Sequence, residues 1–557
     1  MSNDVPRMTL KLGTHQPAVD ARIESWRAEE TCRRIWERDH EVWSKDPVPE
    51  LTSRLGWLDL PSTMRSQVAQ FETVAESTMA AGHTRVVLLG MGGSSLAPEV
   101  FASVYGSTAS HPPLTILDST HPIAVQNLER QIDPARTLFL VSSKSGTTLE
   151  TMSLFRTMWD RVGRTIEQPG RNFVAITDAG SSLEGLARER GFSQIINSPP
   201  DVGGRYSALS PFGLVPAALI GVDVSRLLTR SQIMAEASAA TVADPDNPGL
   251  VLGAVLGELA LAGVDKVTFV TSPALAAFPA WIEQLVAEST GKNGKGILPV
   301  DSEPALPLKS YGSDRLFVGI QLRGDTLLDE QLDLDGLAES GHPVVMIEMT
   351  DKTDLGQEIF RWEMATAAAS AVLGINPFDQ PDVQLAKELA KRAMAEQRGE
   401  KHHETPGRIS IADDRALGEA LGSWVTASPG DYFSIQAYLS PESDTTANLQ
   451  QLRATLAQHT GLATTLGYGP RFLHSTGQLH KGGPNTGRFL QLVDSVSGDL
   501  AVPETDYTFG TLIEAQALGD YQALLQRDRN VLSIDLGSDT SGGLHRLSDT
   551  LNSLMGP

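Results

Sequence analysis

Short apolar runs, each ending at a glycine, serine or aspartate and separated by helical stretches, constrain this chain more than any other feature. They fall at residues 85–90, 114–118, 138–142 and 173–178. Strands buried on both faces read as continuous apolar runs rather than alternating ones, and strands that alternate with helices form parallel sheets. A second set falls at 267–271, 316–321 and 344–349, closed by an alanine-rich helical stretch at 355–373. The expected fold class is therefore α/β. Two doubly wound parallel-sheet domains are expected at 81–235 and 236–395.

Residues 1–80 read as a helical segment, with Trp26, Ile35, Trp36 and Trp43 as its apolar stripe. Residues 393–410 are polar and read as a linker. The adjacent His402 and His403 there have no cysteine or carboxylate at ligand spacing, so they read as a solvated pair. Beyond it, 396–557 reads as an additional α/β or α+β domain. Its expected strands are at 433–439, 462–466, 489–494 and 531–536, and its helices at 447–459 and 509–525.

The formal net charge of −23 disfavours nucleic acid and anionic membranes as partners. It also repels a phosphorylated substrate at long range, so binding a phosphate ester would need local backbone donors and a few placed cations. The single cysteine, Cys32, excludes an intramolecular disulfide and a cysteine-based zinc cluster. No run of 18 apolar residues occurs, and the N-terminus lacks the apolar core of a signal peptide, so a cytoplasmic protein is expected.

Five segments can carry chemistry. Gly90-Met-Gly-Gly-Ser-Ser95 joins a strand to a helix, where glycines let the backbone approach an anion; it has neither the dinucleotide nor the nucleotide P-loop spacing. Ser142-Ser-Lys-Ser-Gly-Thr-Thr148 packs five hydroxyls and one lysine into seven residues before a helix, more than capping needs. Val202-Gly-Gly-Arg-Tyr-Ser207 offers a permanently charged arginine beside glycines. In Ala287-Glu-Ser-Thr-Gly-Lys292, partial desolvation would make the glutamate a usable base near neutral pH. Finally, 375–387 carries a proline-rich turn and then Lys387 on a helix.

Together, from Leu55 to Arg392, these segments resemble the phosphoglucose isomerase family, which is built from two sugar-isomerase (SIS) domains. The resemblance implies a hexose 6-phosphate substrate, aldose–ketose isomerisation through an enediolate, and a homodimer; that chemistry needs no redox cofactor, and the twelve scattered histidines disfavour a metal. It implies phosphate or substrate contacts from Gly93, Ser94, Ser143, Lys144, Ser145, Thr147, Thr148, Gly204 and Gln380. Glu288 would be the proton-transferring base, Arg205 the stabiliser of developing charge, and Lys387 a helper in ring opening.

One departure stands out. The family's ring-opening histidine has no counterpart in 311–322, where Phe317 occupies the matching position. The glycine-rich segment Leu473-His-Ser-Thr-Gly-Gln-Leu-His-Lys-Gly-Gly-Pro484 supplies candidate replacements, His474 and His480. This tail also resembles the isomerase part of transaldolase–phosphoglucose isomerase fusions. The eight strand–helix repeats of a transaldolase barrel are missing, so no transaldolase activity is expected. Two alternatives stay open: a non-catalytic sugar-phosphate sensor, and an isomerase of mannose or amino-sugar phosphates.

Overall fold

The computed structural model describes residues 5–106, 108, 110–242, 244–396, 407–495 and 498–556; His402 and His403 lie outside them. The chain divides into two compact units. The first holds residues 1–117, 132–302 and 314–379, and the second 118–131, 303–313 and 380–557.

The first unit contains two five-stranded sheets. One is wholly parallel, in the order Leu114–Leu117, Arg85–Leu89, Thr137–Ser142, Phe173–Asp178, Gln194–Ser198. The other runs Arg7–Lys11, Val344–Met349, Arg315–Leu322, Lys266–Thr271, Leu298–Val300. Its first strand is antiparallel and the rest are parallel. Central strands are buried along their length: Thr137–Ser142 has no exposed residue. That is why they read as unbroken apolar runs.

The expectation of an all-helical 1–80 needs correction at Arg7–Lys11, which is a strand paired Leu10 to Val345. Met8 and Leu10 alternate with Arg7, Thr9 and Lys11, the period of an edge strand rather than a helix.

The second unit carries a third parallel sheet, in the order Ile409–Ser410, Asn530–Asp535, Gly487–Val493, Tyr432–Tyr438, Ala463–Tyr468. The tail is therefore α/β. Counting from the first strand of each central run, all three sheets share the order 2-1-3-4, with a fifth strand added beside the fourth. Helix Val383–Glu396, all but its last residue inside the expected 236–395 domain, belongs to this second unit, as does the segment 118–131. Among the described residues, no helix is long and apolar enough to cross a membrane.

Candidate active site

In an open parallel sheet, ligands bind where the strand order reverses, at the carboxyl ends of the strands. In the first sheet that point lies between Arg85–Leu89 and Thr137–Ser142. Both glycine- and hydroxyl-rich loops leave from there. Ser142 Oγ donates to the Ser94 carbonyl at 3.1 Å, so the two loops touch.

The hydroxyl loop is held by its own side chains. Ser143 Oγ accepts from Gly146 N (3.1 Å) and lies 3.2 Å from Thr148 Oγ1, while Ser145 Oγ and Thr147 Oγ1 are 2.7 Å apart. Gly146 has φ +70°, and a Cβ there would meet Leu183 N at 2.3 Å, so only glycine fits. Ser145 and Thr147 are exposed. Thr148 is the N-cap of helix Leu149–Gly163, and its hydroxyl pairs with Ser143 instead of capping the helix, which sets that hydroxyl at the positive end of the helix dipole, where an anion is favoured. Lys144 is already occupied: its Nζ lies 2.5 Å from Asp178 Oδ2. Burial pushes the Lys144 ammonium down and the Asp178 carboxyl up. With the lysine paired, the hydroxyls, bonded to one another rather than to a charge, are the donors of this loop that an anion could recruit.

The glycine loops serve each other. A Cβ on Gly93 would sit 2.0 Å from the Gly204 carbonyl oxygen, so the 90–95 and 203–206 loops pack backbone to backbone. Gly93 and Ser94 are half-buried, and Gly204 is exposed.

Arg205 then turns inward, 4 % exposed. Its Nη1 lies 3.0 Å from Glu288 Oε1. Its Nε donates to Ser289 Oγ (2.9 Å), and Nη2 donates to the carbonyls of Pro377 (2.5 Å) and Asp379 (2.9 Å). Five donors in a rigid fork suit a guanidinium to such a crowded set of acceptors.

Glu288 stands in the last turn of helix Phe278–Thr290 and is 8 % exposed. That helix forms because Trp281, Ile282, Leu285 and Val286 bury its core side. The i, i+4 spacing sets Gln284 beside Glu288, where Nε2 donates to Oε2 at 3.1 Å. Just past the helix, Lys292 Nζ lies 2.7 Å from Asp379 Oδ1 and donates to the Asn376 carbonyl. Burial, then the Arg205 charge, push the Lys292 ammonium down to about 7, while Asp379 and Glu288 act against the fall.

An unbroken string of contacts within the first unit therefore runs from the hydroxyl loop through Ser94, Gly93 and Gly204 to Arg205 and Glu288. Gln380, Lys387, His474 and His480 lie in the second unit. Gln380 and Lys387 are exposed, the latter on helix Val383–Glu396. His474 is half-buried. His480 is buried between Phe472 and Phe489, with Nδ1 3.2 Å from Gln436 Nε2. Burial pushes it well below the usual histidine range, so it is neutral. Phe317 is a core residue in the middle of a strand, edge-on to His342. Nothing at that position could titrate.

The sequence reading missed Gln284, Ser289 and Asp379 and gave Lys292 no role. Gln284 could have been found from its spacing to Glu288. Asp379 could not, because its partners are remote in sequence. Among the described residues, no group of three or more histidine, cysteine, aspartate or glutamate side chains could hold a metal ion.

Comparison with known proteins gives the family. A family model described as "Phosphoglucose isomerase" matches residues 59–299. The glucose-6-phosphate isomerase of Rubrobacter xylanophilus is 30% identical over 391 residues, which span 61% of this chain and 89% of that protein. That of Parabacteroides distasonis is 29% identical over 387 residues, 60% of this chain and 85% of the relative. Among solved structures, a hypothetical protein from Thermus thermophilus superposes with a TM-score of 0.60 at 23% identity, covering 70% of this chain and all of its own. A glucose-6-phosphate isomerase from Chlamydia trachomatis superposes with a TM-score of 0.53 at 20% identity, over 67% of this chain and 79% of its own. At these identities the two superpositions speak to the fold.

Proposed function

The chain belongs to the phosphoglucose isomerase family, and on that premise we propose how its residues interconvert glucose 6-phosphate and fructose 6-phosphate. The single observation that carries the proposal is the buried contact between Glu288 and Arg205, one contact string away from a hydroxyl-lined helix start.

The phosphoryl group sits on the hydroxyls and amides of 143–148, with Gly93, Ser94 and Gly204 walling the pocket. Net charge on the chain is strongly negative, so these local donors do the recruiting. Glu288 removes the proton from C2 of the aldose and returns it to C1. As the carboxylate takes the proton, its negative charge moves to the substrate oxygens, giving an enediolate. Arg205 stays charged and touches Glu288, so in this reading it balances the charge on the carboxylate before transfer and on the nearby substrate oxygens after it. One carbon is oxidised as its neighbour is reduced, so the step needs no external electron acceptor.

Ring opening precedes this step. We assign it to the 473–484 segment with Lys387 and Gln380, and His474 is the more accessible of its two histidines. Family membership also supports a homodimer and a cytoplasmic enzyme.

The test is a coupled assay with fructose 6-phosphate, mannose 6-phosphate and glucosamine 6-phosphate on the parent and on Glu288→Gln. General acid–base catalysis contributes about 10²–10⁴-fold, so Glu288→Gln should lose that much kcat on fructose 6-phosphate with little change in KM. A Glu288→Gln protein that keeps parent turnover sinks the assignment. Activity on none of the three sugars favours a sensor. His474→Ala and His480→Ala proteins that both turn over normally would remove that segment from the chemistry.

A further inference from the structure

Lys292 takes no part in the steps above, yet it is buried a few ångströms from them. Its side chain is 3% exposed. It occupies a turn, 291–296, that is tied to the loop after helix Leu355–Leu373 by two lysines. Lys295 Nζ donates to the Leu373 carbonyl at 2.6 Å, satisfying one of the open carbonyls at that helix end. Lys292 reaches further along the same loop, to the Asn376 carbonyl and the Asp379 carboxylate.

Asp379 is shared between two cations. Its carboxylate faces Lys292, and its main-chain carbonyl accepts from Arg205. The neighbouring Pro377 carbonyl also accepts from Arg205. Two of the acceptors that aim the guanidinium at Glu288 therefore sit on the loop that Lys292 fastens. A buried ammonium costs free energy unless it is paired and hydrogen-bonded, and the Asp379 carboxylate and Asn376 carbonyl supply both here.

We propose that Lys292 is a positioning residue for the isomerisation: by fastening residues 376–379 it holds the carbonyls that keep Arg205 against Glu288. This rests on the roles given above to Arg205 and Glu288. The loop is a lever, and a displacement of about 1 Å at a catalytic group can cost up to about 10²-fold in rate. Binding of the phosphoryl group, set by the hydroxyl loop, is not on this lever.

The experiment measures kcat and KM for fructose 6-phosphate in Lys292→Met, Asp379→Asn and the double variant, with Arg205→Ala and Glu288→Gln alongside. Each single variant should lose about tenfold or more in kcat while KM stays within about threefold. The double variant should fall no further than the worse single, because both break one clamp. Asp379→Asn keeps its backbone carbonyl and fold, so it carries the test if Lys292→Met fails to fold. A merely structural lysine would lower the melting temperature but leave kcat per folded molecule, and the non-additivity, untouched. Folded variants within twofold of parent kcat, beside a crippled Arg205→Ala, would overturn the clamp and leave the active-site reading intact. Full activity in Glu288→Gln and Arg205→Ala would instead sink that reading.

Discussion

The first and third sheets share a strand order, yet they treat the point where that order reverses in opposite ways. In the first sheet, two loops leave that point with exposed hydroxyls, at Ser145 and Thr147. In the third, the equivalent point lies between Gly487–Val493 and Tyr432–Tyr438, and the segment 118–131 covers it. His121 Nε2 lies 3.1 Å from Asp494 Oδ1, Asn127 donates to Glu442 (2.8 Å), and Gln126 donates to the Gly498 carbonyl (2.6 Å). The His121 side chain has no exposure at all. Each unit also buries a cation–carboxylate pair: Arg205 with Glu288 in one, Lys481 with Asp520 at 2.5 Å in the other. The first keeps a tenth of its carboxylate exposed; the second is sealed at 1% and 0%. Topology supplies a place for a ligand, and a buried ion pair supplies field. Access is what makes either one a site.

The largest effect that separates the two pairs is on stability. Removing one partner of a sealed pair leaves an uncompensated charge, so Asp520→Asn should cost about 3–5 kcal/mol in denaturant unfolding. An Asp520→Asn protein that unfolds at the parent midpoint would show the pair to be no more structural than its open counterpart.

The two reversal points themselves should dissociate next. Hydrogen bonds to charged groups contribute about 1.5–3 kcal/mol, so Thr148→Ala should raise KM for fructose 6-phosphate by about tenfold or more and leave the melting temperature alone. His121→Ala should do the reverse, losing about 1–3 kcal/mol of stability with KM unchanged. If His121→Ala also raises KM, the comparison between covered and open crevices fails.

An effect that vanishes near pH 5 concerns Glu363, on helix Leu355–Leu373 in the first unit. Burial holds its carboxyl well above the ordinary value of 4.5. A carboxyl raised in the folded state stabilises fully below its unfolded value and loses that contribution as pH climbs toward the folded one. Glu363→Gln mimics the protonated form. It should remove up to about 1.4 kcal/mol per pH unit of the stability slope above pH 4.5. The variant should therefore out-melt the parent at pH 8 and converge with it near pH 5. Parallel melting curves at both pH values would place a charged, compensated Glu363 in the core.

What could be read from sequence follows from burial. Strands such as Thr137–Ser142 and Phe173–Asp178, apolar on both faces, announce themselves. Gln194–Ser198 does not, being a polar edge strand, and neither does Leu298–Val300, which is three residues long with a proline in the middle. The 118–131 segment sits inside a regular strand–helix alternation, so nothing local says that it joins the second unit. The same holds within the site. Glu288 and Arg205 come from short motifs in a known order, and the hydroxyl loop from its density of serines and threonines. Asp379 and the carbonyls of Pro377 and Asp379 are main-chain or long-range partners, and a linear pattern carries no trace of them.

The most direct measurement is a crystal structure with 5-phosphoarabinonate, whose carboxylate stands in for the enediolate oxygens. The phosphoryl oxygens should lie on the hydroxyls of Ser145, Thr147 and Thr148, and the Glu288 carboxylate should approach the carbons equivalent to C1 and C2 to within about 3.5 Å. A phosphoryl group seated away from residues 143–148, or a residue 288 side chain out of reach of those carbons, would contradict the account.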